Sequence, residues 1–120
     1  MANLTEKADH AYEDVRAMNH TLINTKAMYP QDVYDILANL QAAGYGLQEV
    51  LKHLARTLEA SLDECDVRED DGSNPGVNIV AAVAALWAAA EHARALGSAL
   101  SDAQGLISRQ SGQQRKDTGE

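Results

Sequence analysis

Apolar residues recur along this chain at alternating intervals of three and four, in three stretches that each last at least three heptads. In the first, Leu4, Ala8, Ala11, Val15, Met18 and Leu22 fall on one seam. Residues that repeat every 3.6 positions share one side of an α-helix, so the spacing predicts a helix over 4–27. Asn3 and Glu6 are placed as a capping box at its start. Its end is expected at "AMYPQD", because Pro30 disfavours helical geometry at Tyr29 and suits the first turn of a following helix.

The second seam is the strongest: Val33, Leu37, Leu40, Gly44, Leu47, Leu51, Leu54 and Leu58. Ile36, Ala43 and Val50 widen it to the breadth of a bundle helix, more than a two-stranded coiled coil needs. The pattern predicts one helix over 31–65. Its weak point is "AAGYGLQ", where two glycines flank Tyr45 and each costs about 1 kcal/mol against alanine. The heptad phase passes through Gly44 without a slip, which favours a continuous, bent helix. A break at Gly44–Gly46 gives four helices instead.

"DECDVREDDGSNPGVN" interrupts the periodicity with acidic residues and then Gly72, Asn74, Pro75 and Gly76, predicting a solvated acidic loop over 66–74. Asn74 before Pro75 reads as the cap and first residue of a third helix, 75–110. Its seam is Ile79, Val83, Leu86, Ala90, Ala93, Gly97, Leu100 and Ile107. The expected fold is all-α: an antiparallel three-helix bundle with two long helices, forming one domain over 1–112, with a disordered polar tail at 113–120. At 1.5 Å per residue the long helices reach about 50 Å and the first only about 36 Å. Part of the long pair is therefore left uncovered.

Helix 3 sharpens that point. Six of its nine positions from Ala82 to Ala90 are alanine, which permits close approach of neighbouring backbones. Val80 and Trp87 lie off its main seam. Either helix 3 sits in the middle of three helices, or these residues face a partner, with Trp87 as the anchor. The candidate interface is Val80, Val83, Leu86 and Trp87, with Tyr45 as a second contact at the glycine kink.

Composition narrows the function classes. In 120 residues there are 18 acidic and 10 basic side chains, a formal charge of −8. Binding a nucleic-acid backbone needs clustered Lys and Arg, and an anionic membrane surface attracts the same residues, so neither is an expected partner. Scarce β-branched and aromatic residues, with no phenylalanine, favour helix over sheet. The charged N-terminal stretch has no apolar core of a signal peptide, and the apolar run Ile79 to Ala90 is short for a membrane span, so a cytoplasmic protein is expected. Alanine enrichment looks like the codon bias of a high-GC bacterium or its phage.

Candidate chemistry is thin. Glu6 and His10, and Glu49 and His53, stand four apart on helices, with Glu91 and His92 on the third, but all but Glu91 are placed outside the seams and the Glu-x-x-His spacing of di-metal bundles is absent. Cys65 is alone, twelve residues from His53 on the same helix, about 18 Å along its axis, too far for a catalytic dyad. Near a helix end it is expected to be a part-buried apolar residue. The acidic loop does not fit a calcium-binding frame, since placing Gly72 sixth puts Val67 first and Asn78 last. Lys52 and Arg56 are flanked by Glu49 and Glu59, which predicts intrahelical pairing. No metal, cofactor or small-molecule substrate is expected.

In size, alanine content and helical pattern the chain resembles the short helical hairpins exported by type VII secretion systems. The hairpin turn of those proteins carries Trp-x-Gly, whereas Trp87 here is followed by "AAAE" inside helix 3. Tyr45 and Glu49 match a Tyr-x-x-x-Glu export element but lie mid-helix, so the resemblance assigns no family. The expected function is a non-enzymatic helical protein–protein interaction module, an adaptor, regulator or assembly subunit, acting as a homodimer or on another protein. The alternatives are a small metal-dependent or shared-site helical enzyme, a secreted helical effector, and an acidic inhibitor.

Overall fold

The computed structural model describes residues 2–115. It is all-α, with helices α1 (Ala2–Ile23), α2 (Pro30–Glu64) and α3 (Pro75–Leu106) and no strand among the described residues. Each follows one of the three seams. α2 begins with Tyr29 as N-cap and Pro30 in the first turn, and α3 with the Asn74 side chain accepting a hydrogen bond from the Gly76 amide at 2.9 Å. That bond satisfies one of the amides a helix start leaves open.

The helix ends are tighter than the seams suggest. α1 stops at Ile23 instead of Ala27, because Thr25 turns its hydroxyl back onto the Thr21 carbonyl at 2.9 Å and its amide onto Leu22. Such side-chain bonds compete with the next helical turn. Asn3 lies inside the first turn of α1, so it is not the N-cap of a capping box. α3 ends at Leu106, where the Ile107 amide closes onto Gln104 and the Ser108 hydroxyl onto Gly105.

α2 and α3 pack antiparallel along most of their lengths and are the only helices in backbone contact. Their register is marked by Ala55 against Ile79 and Val83 near the loop, Gly44 against Gly97 at the middle, and Tyr34 near Gln104 at the far end. α2 runs unbroken through Gly44–Gly46, so the four-helix alternative does not hold. A Cβ on Gly44 would stand 3.1 Å from the Gly97 nitrogen and 3.2 Å from its Cα. The glycine therefore marks a close crossing of two helix backbones rather than a kink.

The core between the two helices is thin. Its buried apolar residues are Ala55, Ile79, Val83, Ala90 and Ala93, with Leu58, Val67 and Leu86 packed alongside. α1 leads away from this pair, giving a molecule 74 Å long and only 25 by 23 Å across. Met18 and Leu22 of α1, Met28 of the connection and Ile36 of α2 share one crease at the elbow. Past α3 the chain turns back over the start of α2. There Gln31 donates to the Gly112 carbonyl at 2.9 Å and accepts from the Gly112 amide at 2.7 Å. Of the expected tail, residues 113–115 border Tyr29 and Asp32, and residues 116–120 lie outside the described residues.

By length and composition α3 is apolar enough to cross a membrane, with an 18-residue window of mean hydropathy 1.4. In the folded chain α3 lies along α2, whose surface carries Glu49, Lys52, Arg56 and Glu59.

Candidate functional surface

At 100° per residue, the α2–α3 pair presents two flanks on either side of its seam. They differ in chemistry. On one, α2 contributes Tyr45, Lys52 and Arg56, and α3 contributes Val80, Trp87, Glu91 and Arg94. On the other, α2 contributes Ala43, Leu47, Val50 and Leu54, and α3 contributes Ala82, Ala89 and Leu96.

The first flank carries the sequence-predicted interface, and the structure divides that set. Val80 and Trp87 do face outward, exposed by 65% and 41%. Val83 is buried and Leu86 half-buried, both committed to the core around Ala55. They lie on the main α3 seam, which α2 already occupies, so they are not part of an outer surface. Tyr45 lays its ring over Gly97, where a Cβ would stand 2.9 Å from the ring. Its contact is made within the chain, although its edge remains exposed. Trp87 is partly covered too: the Arg56 guanidinium sits 5.8 Å from the ring centroid, a cation–π contact across the two helices. Arg56 is thus engaged by Trp87, while Lys52 approaches Glu49 at 3.9 Å.

Charge pairing also marks this flank. Arg94 donates to Glu91 through both Nε and Nη2, at 2.8 and 2.6 Å, and that hydrogen bonding holds the Glu91 carboxyl below its usual range. Asp71 in the loop is lowered similarly by hydrogen bonds from Ser73. Both groups are solvent-exposed ion or turn contacts.

The residues considered for metal or nucleophilic chemistry are scattered. His10, His20, His53 and His92 are all exposed, on three different helices, and Glu6, Glu49 and Glu91 are exposed beside them. Among the described residues no three His, Cys, Asp or Glu side chains gather as a ligand set. Cys65 caps the end of α2 and is exposed, not part-buried, because the chain leaves the seam there in an extended conformation.

The second flank is the one that reading the sequence for a partner site passed over. Leu47, Val50, Leu54 and Leu96 are exposed by 48, 50, 45 and 49%, and no charged side chain interrupts α2 between Ala43 and Leu47 or between Val50 and Leu54 on this side. Ala82 and Ala89 form a shallow floor between the helices. The signal was present in the breadth of the α2 stripe: Ala43 and Val50 widen it beyond what one neighbouring helix can cover. α1 has a matching character, with Leu4, Val15 and Leu22 exposed by 58, 54 and 46% on a single seam.

No family model matches this chain, and neither a curated protein nor a solved structure matches it.

Proposed function

We propose that this chain is a non-enzymatic helical association module, an assembly subunit or adaptor, that acts by burying apolar helix surface against another helix. The observation that carries this reading is the amount of surface left in water. The chain exposes 9588 Å², whereas a compact monomer of 12.9 kDa exposes about 6,300 Å². Its radius of gyration is 20.6 Å, against about 13.6 Å for a compact chain of this length. The excess area, about 3,300 Å², is as large as that of an extensive protein–protein interface.

The exposed area is apolar where it matters. Seventeen large apolar side chains are exposed among the described residues, while the five buried apolar residues include three alanines. At about 25 cal/mol per Å² a core this thin supplies little, and covering the second flank and the α1 seam is the available source of more. The association surface proposed here is therefore the flank of Leu47, Val50, Leu54 and Leu96, opposite the one that holds Trp87.

Light scattering of the purified chain over a dilution series tests the reading. A mass of twice 12.9 kDa or more, falling only at high dilution, is the expected result. A mass of one chain throughout, with the full helix content retained, overturns self-association.

A further inference from the structure

We infer that the helix seated on the second flank is α1 of another copy of this chain, exchanged reciprocally in a two-fold dimer. The inference rests on the association proposed above and names its partner. Its first support is a match of spacing. The flank of α2 presents Ala43, Leu47, Val50 and Leu54, at steps of four, three and four. The outer part of α1 presents Leu4, Ala8, Ala11 and Val15, at the same steps. Both rows run for about 16 Å of helix. Both are exposed, and each sets small residues beside large ones, as interdigitating helices require.

The second support is charge. The α1 row is apolar, while Glu6, Asp9 and Glu13 lie on the opposite side of that helix. Seating the row on the flank buries none of these carboxylates, and Lys7 and Asp14, which border the row along one edge, fall at the rim of such a contact, where they keep access to water.

The third is the elbow. Met18, Leu22, Met28 and Ile36 line an open crease at the elbow, and beyond it the α1 backbone makes no contact with its own α2 or α3. The inner part of the α1 seam thus borders this crease, with Leu22 still half-exposed, and the outer part, Leu4 to Val15, projects beyond it. Folding α1 back onto its own flank would dismantle this crease. A second copy takes the projecting part without disturbing the elbow, and two-fold symmetry makes the contact twice. Each flank then carries three helices, two from one chain and one from its partner.

Two paired substitutions separate this arrangement from its competitors. Leu47→Glu with Leu54→Glu disables the flank; Leu4→Glu with Val15→Glu disables the α1 row. All four positions are exposed, so helix content by circular dichroism is expected to persist; glutamine at the same positions serves if glutamate lowers it. By light scattering each variant alone should dissociate at a concentration roughly tenfold or more above that of the parent. Mixing the two variants should restore a dimer of intermediate affinity, because the intact α1 of one meets the intact flank of the other. If the parent is a dimer but only the α1 variant dissociates, two α1 helices pair with each other and the inference fails. A parent dimer insensitive to both variants but broken by Trp87→Ala places the interface on the first flank, overturning the exchange while leaving self-association in place. A monomeric parent overturns both.

Discussion

Gly44 and Gly46 stand two residues apart in one helix and should respond oppositely to alanine. At Gly46 nothing lies within 4 Å of an added Cβ, so Gly46→Ala gains the helix propensity of alanine and should stabilise the chain by about 1 kcal/mol. At Gly44 the same methyl meets the Gly97 backbone nitrogen at 3.1 Å and the Ala93 carbonyl oxygen at 3.4 Å. Backbone atoms cannot step aside, so the helices must part, and Gly44→Ala should lose more through packing than it gains, a net loss of about 1–3 kcal/mol. Urea denaturation of the two variants in parallel checks the pair; equal effects would show that Gly44 is not at a crossing. Gln41 offers a second test, since its Oε1 is buried without a hydrogen-bond partner. An orphaned buried acceptor carries its desolvation cost, so Gln41→Met should raise stability by about 1 kcal/mol, read by the same denaturation midpoint. Neither role can be read from the sequence. A glycine in a heptad position signals weak helix as readily as close approach, and only the identity of the residue opposite, Gly97, decides between them.

At the scale of elements, the seams, the Asn74 cap and the Pro30 start were legible because each is a local rule acting within a few residues. The helix ends were less so: Thr25 and Ser108 end their helices by side-chain bonds to nearby carbonyls, and many threonines and serines inside helices make no such break. The C-terminal clip was not legible at all, since Gln31 and Gly112 are 81 positions apart. Its geometry is nonetheless specific, with two reciprocal hydrogen bonds and a glycine whose Cβ would meet Pro30 Cδ and Tyr29 Cδ1 at 3.0 Å. Gln31→Ala removes both bonds and should release the segment after α3. Amide exchange at Gly112 and limited proteolysis at Arg109 should both accelerate, with a loss of global stability of about 1 kcal/mol. Unchanged exchange at Gly112 would mean that the glycine is held by Tyr29 and Pro30 instead.

The shape of the whole molecule turns on where α1 spends its seam. The heptads imply three helices in one bundle, and three helices are present, yet periodicity says only that a face is covered and is silent about which chain covers it. A helix with an apolar seam and a neighbouring pair with an apolar flank can form the two halves of one contact, and in the proposed exchange the halves meet between chains, because α1 makes no backbone contact with its own α2 or α3. A protein whose core is completed by its partner cannot have a stability independent of concentration. Mass action stabilises the associated state by RT ln of the ratio of concentration to dissociation constant, about 1.4 kcal/mol for each tenfold rise in concentration. Because that energy is shared by the unfolding of both chains of a dimer, it corresponds to a shift of about 3 °C. Thermal melts followed at 222 nm over a hundredfold range of protein concentration should therefore show Tm climbing steadily, and the α1 variant Leu4→Glu with Val15→Glu should melt below the parent at every concentration in that range. A parent Tm that stays constant over that range would mean that α2, α3 and their thin alanine core hold the fold unaided, and that the exposed rows on α1 and α2 contribute nothing to it.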